Sequence, residues 1–433
     1  MGEATAKEQS YGSAAFRKEF VVQDIQAGVI TATMAIPLSI GIALMSDYPI
    51  QVGLATVAFA SFIGFIFAWF RPGNFIGAPG IAAGLAPILA MGVATFGIQN
   101  MAFIIFMTAT FQAVIWKFNW QRYLLQAVPT YLVEGLLAGI GLKIALKFLP
   151  FLWTLPIGLS ATETFWTPDR ITVVILSVIG AVVFLSLFKK YKDTKPAIPY
   201  FVLIFLGIVV SQFFEVKMLK VEDVSFELGL PIPDFNTTYM WVYAIFFALM
   251  LAVVDVIEQV MSNAAIEKID PLERPCDSNN SLLSIWVSNM GASFFGGMTN
   301  LDGLAKSSTN RLAGAYTKLS VLVIGLMITF FVFNSQYLDY LPYFALAIIM
   351  IFVGIKMVLG LLHVAQFGPY ALLLGSLCAI LVFKVGIFEG LIVTLLLNAI
   401  ISYVIFSKVE NKPTGTIVRH YFDRFKNDDT NVN

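Results

Sequence analysis

The chain has 433 residues, of which 58% are hydrophobic and 12% charged, with a mean hydropathy of +0.82. Those values exclude an ordinary water-soluble globular protein and describe a chain that crosses a bilayer many times. A formal net charge of +0 gives no electrostatic reason to expect nucleic acid as a partner, and two distant cysteines, Cys276 and Cys378, exclude a disulfide framework.

The polar start, Met1–Ser10, lacks the compact apolar core of a signal peptide, so membrane insertion is expected to use the first apolar segment. Gly2 is followed by Ala6 where a myristoylation site needs Ser or Thr. Phe16–Gln26 mixes charge with aromatics and reads as a stretch lying along the inner interface. Apolar segments then run over 27–45, 51–70, 80–95, 101–118, 128–149, 171–189 and 197–214. After an acidic, proline-containing loop come 239–264, 282–298, 304–313, 316–334, 341–360, 367–384 and 386–407. Most reach the roughly 20 residues that a span requires. The third and tenth are short and follow irregular backbone, F-I-G-A-P-G at 75–80 and M-T-N-L-D-G at 298–303.

Those interruptions fall third in the first seven segments and third in the second seven. Short, Gly- or Pro-broken segments in matching places of two halves point to a transporter site, and an odd number per half inverts the repeats in the membrane. The expected fold is therefore an all-α polytopic membrane protein of 14 segments in two inverted seven-segment repeats, with half-helices in segments 3 and 10. Its parts are a cytoplasmic stretch (1–26), a first repeat (27–214), an extracellular loop (215–238), a second repeat (239–407) and a cytoplasmic tail (408–433). With both termini cytoplasmic, most of the 27 basic residues fall inside, Lys189, Lys190, Lys192, Arg274 and Lys408 among them. Trp69, Trp116, Trp120 and Trp241 fall at predicted span ends, as interfacial anchors should.

Leu301–Ala315 carries Asp302, Lys306, Ser307, Ser308, Thr309, Asn310 and Arg311 inside this apolar chain. Polar groups at membrane depth face protein or a water-filled path. A short helix opening at Gly303 aims free N–H groups at a site, and beside the ammonium of Lys306 it suits a small anion. The alternative is that Lys306 snorkels to the inner interface beside Arg311 and Lys318. In segment three, Gly77, Pro79, Gly80 and Gly84 free the backbone before a second short helix; close helix packing through Ala82, Ala83 and Gly84 is the plainer reading. Pro37 and Ser39 of segment one are expected to line the same space.

In segment eight, Asp255, Glu258, Gln259 and Ser262 share one helical face, with Val, Ile and Met opposite. Carboxylates on such a stripe serve Na+ or H+ coupling; structural ion pairs with Lys306 or a loop base are the alternative. Glu134, Lys143, Lys147, Lys384 and Glu389 read as structural or interfacial. His363 and His420 stand apart from any metal cluster, and no Ser–His–Asp set, Walker A loop or dinucleotide fingerprint is present. No enzyme is expected, and no cofactor beyond Na+ or H+ as coupling ion.

Four stretches resemble the sulfate permease (SulP) family: A-I-P-L-S-I-G-I-A-L at 35–44, F-I-G-A-P-G-I-A-A-G-L at 75–85, S-N-M-G-A-S-F-F-G-G at 288–297 and A-K-S-S-T-N-R-L-A-G-A-Y-T-K-L-S at 305–320. D-S-N-N-S-L at 277–282 is similar to the family's polar turn before segment nine. The resemblance implies a core domain (segments 1–4 and 8–11) moving against a gate domain (5–7 and 12–14), with the anion site between segments three and ten. Carried onto this chain, the site residues are Ser39, Gly80, Ile81, Ala82, Gly303, Ala305, Lys306 and Ser307. Asp255, Glu258 and Gln259 are the cation-coupling set, and Asp255 matches the acidic position that bicarbonate-carrying members associate with Na+. The chain departs from the family pattern in having Gly80-Ile81 for Gly-Pro, Lys306 for Arg, and only a short polar tail where a STAS domain commonly follows. The expectation is a secondary active transporter of a small inorganic anion in the plasma membrane, bicarbonate with Na+ first and sulfate with H+ second, with a homodimer as a possible assembly. An uncoupled anion channel, a nucleobase permease and an intramembrane enzyme are the rivals.

Overall fold

The computed structural model describes residues 13–121, 123, 128–155, 167–226 and 228–410. The N-terminal stretch with Gly2, and the tail after residue 410 with His420, lie outside the described residues. The chain is mostly helical, and seven helices among the described residues are long and apolar enough to cross a membrane. It is a multi-pass membrane protein. Two compact units emerge, residues 1–118 with 147–350 and residues 119–146 with 351–433.

The first unit opens with α1 (Val21–Met45) and α2 (Ile50–Phe67). Helix α1 begins at Val21 rather than at 27, so Val21–Gln26 forms its first turns instead of a separate interfacial stretch. Asp24 is the reason. Its carboxylate accepts from the N–H groups of Tyr316 and Thr317 at 2.7 and 3.0 Å and from Thr317 Oγ1 at 2.6 Å, which draws the segment into the protein. Strand β1 (Pro79–Gly80) follows, then a 3-10 turn and α3 (Ala86–Phe96), which starts later than the predicted 80. Pro87 sits in its first turn, where its missing N–H costs nothing. Gly97, at φ +80°, ends α3 and opens α4 (Ile98–Lys117) in a backbone conformation that L-residues avoid.

Helices α5 (Thr130–Phe148), α6 (Pro168–Tyr191) and α7 (Ala197–Val210) come next. Helix α6 shows both end signals: Thr167 accepts from Arg170 N at 3.3 Å, and Lys189 and Lys190 lie in its last turn. The loop after α7 is pinned within the first unit, Val224 N donating to Gln51 Oε1 at 2.5 Å and Asp234 N to Asn100 Oδ1 at 2.9 Å.

Helix α8 (Thr238–Lys268) carries the acidic stripe, and α9 (Ser278–Ser293) is capped by Asp277, which accepts from Asn279 N and Asn280 N at 2.9 Å each. Strand β2 (Leu301–Asp302) leads into α10 (Leu304–Leu312), followed by α11 (Leu319–Phe333). The two short strands pair antiparallel, Pro79 with Asp302 and Gly80 with Leu301. Helices α3 and α10 rise about 17 and about 14 Å, well short of the roughly 30 Å hydrocarbon core.

The second unit holds most of α5 and of α12 (Tyr343–Val364), with α13 (Pro369–Lys384) and α14 (Ile387–Glu410). Small residues bring its backbones together, Gly135 against the Gly375 carbonyl and Gly141 against the Gly354 carbonyl. The expected core helices all fall in the first unit, but α6 and α7, expected with the gate, fall there too. Helix α7 packs on α1, and Gly207 faces Pro342 and Ala345.

Candidate functional site

The strand pair fixes the backbone from which α3 and α10 depart. Gly303 N donates to Ala78 O at 3.3 Å, and Ala78 N donates to Ser307 Oγ at 3.0 Å. Ser307 Oγ in turn donates to Gly303 O at 2.8 Å, so this hydroxyl ties β1 to the start of α10. No side chain caps α10 at Gly303, which leaves its leading N–H groups without helical partners. Leu304 and Ala305 are exposed at that end, and Gly303 is half-buried.

Lys306 lies one turn in, 2% exposed, and its Nζ donates to Ser39 Oγ in α1 at 3.3 Å. Among the described residues no carboxylate comes within ion-pair distance of it. The side chain therefore runs into the protein, to Ser39 in the second half of α1, and not out to the surface. Gly80 makes room: a Cβ there would collide with Lys306 Nζ. Ser39, Gly80 and Lys306, read from three separate segments, meet at one point. Ile81 and Ala82 follow Gly80 directly and are buried.

Lys318, grouped with the interfacial bases from the sequence, is 4% exposed. Its Nζ donates to Gly77 O at 2.5 Å and lies 3.9 Å from Asp302 Oδ2. Asp302 Oδ2 also accepts from Asn74 Nδ2 at 2.5 Å, and Asp302 N donates to Gln259 Oε1 at 2.8 Å. This cluster braces the strand pair.

Asp255 is fully buried in α8. Its Oδ2 accepts from Gln112 Nε2 at 2.7 Å and Asn289 Nδ2 at 3.4 Å, while Oδ1 has no hydrogen-bond partner. It forms no ion pair with Lys306 among the described residues. Glu258, one turn on, has its Oε2 buried without a partner. Gln259 shares the helical face but serves β2, donating to Ser281 Oγ at 2.7 Å as well as accepting from Asp302 N. The sequence reading missed Gln112, Asn289, Asn300 and Asn74. The signal available was an amide within a mostly apolar helix or a loop, which names no partner.

A bundle of apolar helices with two short helices departing from paired strands, a buried unpaired lysine and a separate buried carboxylate defines a membrane protein built around a charged interior site. The chain belongs to the Sulfate permease family, whose profile matches residues 21–375. It is similar to "Putative sulfate transporter YvdB" of Bacillus subtilis (strain 168), 24% identical over 77% of this chain and 64% of that protein. "Putative sulfate transporter YbaR" of the same organism is 26% identical over 81% of this chain and 68% of its own length. The chain thus spans about two thirds of these relatives. Among solved structures, the transmembrane domain of a cyanobacterium bicarbonate transporter, BicA, superposes with a TM-score of 0.69 at 17% identity, covering 88% of this chain and 98% of that one. The overall structure of SLC26A9 gives 0.71 at 15% identity, covering 90% and 66%. These two likenesses establish the fold.

Proposed function

We propose that this protein is a secondary active transporter of a small inorganic anion, bicarbonate with Na+ symport, working by elevator-like alternating access. The observation that carries the reading is Lys306. A cation at membrane depth costs about 2.5–3.5 kcal/mol on insertion scales, and here no carboxylate among the described residues offsets it. A visiting anion would, held between the ammonium, Ser39 Oγ and the free N–H groups of α10. Lysine offers a point charge rather than the planar fork of arginine, which suits a small anion without a fixed bidentate geometry. Asp255, with one oxygen unpartnered, is the coupling site for Na+ or H+, and Glu258 stands next to it.

The same reading takes the polypeptide as fourteen segments in two inverted repeats, both termini cytoplasmic, in the plasma membrane. The pairing of β1 with β2, the irregular stretches at matching places in the halves, supports it. Bicarbonate is favoured by the likeness to BicA. Sulfate with H+ is the second reading, favoured by the names of the Bacillus relatives. Uptake of labelled bicarbonate and sulfate into proteoliposomes, with and without an inward Na+ gradient, tests both, with Lys306→Ala vesicles as the blank. Na+-stimulated bicarbonate uptake supports the first reading, and sulfate uptake that follows a pH gradient and ignores Na+ supports the second. Uptake by Lys306→Ala equal to wild type removes the site.

A further inference from the structure

A continuous chain of side-chain amides joins Asp255 to Asn300, at the start of the strand that leads into α10. Gln112 in α4 and Asn289 in α9 both donate to Asp255 Oδ2, and Asn289 Nδ2 also donates to Gln112 Oε1 at 2.9 Å. The other end of the Asn289 amide faces the opposite way. Its Oδ1 accepts from the backbone N–H of Asn300 at 2.8 Å and from Asn300 Nδ2 at 2.6 Å. Ser288 Oγ closes the group by donating to Asn300 Oδ1 at 3.1 Å. Asn289 and Asn300 are fully buried, so none of these bonds is exchanged for water without cost.

Asn300 is the residue before β2. Leu301 pairs with Gly80, and Gly80 packs against Lys306 Nζ. We propose that Asn289 is a positioning residue that couples the occupancy of Asp255 to the strand leading into α10, and thereby to the anion site. The inference rests on the transporter reading above. The physical basis is the polarity of one amide. Asn289 offers its donors to the carboxylate and its acceptor to the strand, and a half-turn about its last bond would oppose oxygen to oxygen at Asp255 and nitrogen to nitrogen at Asn300. When a cation or proton sits on Asp255, Oδ2 becomes a weaker acceptor, the Asn289 donors lose part of their hold, and the acceptor end moves with them. Cooperative strengthening along such buried chains makes the two ends dependent on each other. The charged neighbour in this surrounding is Glu258, on the next turn of α8; Gln112 and Asn289, which face Asp255 from α4 and α9, carry no charge.

Linkage gives the test, because a coupling free energy appears as the ratio of anion dissociation constants without and with the cation. Binding of labelled bicarbonate and labelled sulfate is measured on full-length protein in nanodiscs, with Na+ or with choline in its place, then without Na+ at lowered pH. The wild type is expected to show a ratio in the range of about 5–150 for one cation. In Asn289→Ala the ratio, taken within that one variant, is expected to fall to within about twofold of unity, whatever its anion affinity in choline. Loss of packing alone would lower the affinity with and without the cation alike and leave the ratio at its wild-type value. Gln112→Met, which cuts the short bond to Asp255 and leaves Asn289 on Asn300, is expected to lower the ratio at least threefold (about 0.6 kcal/mol). A folded Asn289→Ala or Gln112→Met with the full wild-type ratio overturns the inference alone. A wild-type ratio of one with both cations overturns the coupling reading and the inference with it.

Discussion

A Cβ at position 80 would meet the Nζ, Cε and Cδ atoms of Lys306, the far end of a flexible side chain rather than backbone. Gly80→Ala is therefore expected to cost little stability, because the lysine swings aside, and much affinity, because the ammonium leaves Ser39. Anion KM should rise about tenfold, the worth of a charge-assisted hydrogen bond, with the thermal unfolding midpoint within a few degrees of wild type. An unchanged KM would detach Lys306 from the substrate. Lys318 makes the opposite case. It is one partner of a buried pair, and Lys318→Met strands Asp302 and the Gly77 carbonyl, for an expected loss of about 3–5 kcal/mol read by thermal unfolding. The sequence reading singled out Lys306 and left Lys318 at the inner interface, with no sign of Asp302 beside it. Their difference lies in which groups the fold brings to meet them, Ser39 for one and Asp302 with the Gly77 carbonyl for the other, and no local pattern encodes that. A third residue tests the loop after α8. Burial, with Glu267 and Asp270 beside it, pushes the Cys276 thiol up to about 12. Its maleimide labelling at neutral pH is expected to be at least about a hundredfold slower than that of a free cysteine, and labelling at the free rate would place the loop elsewhere.

Several element ends carry their own punctuation, which the hydropathy segments passed over by starting segment six at 171 and segment nine at 282. D-S-N-N-S-L is thus the cap and first turn of α9 rather than a turn before it. Asp277 before S-N-N-S-L caps α9, Thr167-Pro168 starts α6 and Gly97 divides α3 from α4. Asp277→Ala removes the acceptor for two backbone N–H groups and is expected to cost about 0.5–2 kcal/mol, measurable as a lower unfolding midpoint with transport retained. Boundaries went astray where tertiary contact decided them. Helix α1 starts early because Asp24 finds Thr317, and α3 starts late because Pro79 and Gly80 pair with β2. The acidic stripe of α8 shows the same limit. Periodicity correctly put Asp255 and Gln259 on one face, yet one turn of helix separates a residue tied to α4 and α9 from one tied to β2.

At the scale of the whole molecule, hydropathy was sufficient to indicate a helical, multi-pass membrane fold, since apolar length is a local property. The division into two compact units was not, because α6 and α7 join the first through contacts with α1 and α12 residues that hydropathy does not report. The proposed orientation is open to a direct check. Leu228, 82% exposed in the loop after α7, is expected to be labelled from outside intact cells as Leu228→Cys by a membrane-impermeant thiol reagent. Labelling only after permeabilisation would invert the topology.

The two-residue strands carry a consequence for how the molecule comes into being. Pro79 and Gly80 emerge from the ribosome long before Leu301 and Asp302, and their pairing is non-local. Until the second half of the chain is made, β1 has no ladder partner, although unpaired backbone groups are tolerated at membrane depth only against protein or water. A nascent chain halted before β2 thus leaves the backbone groups of β1 without their ladder partners. The proposed anion site therefore cannot be assembled from the first half of the chain alone, and its two strands close on each other only when Asp302 has been made.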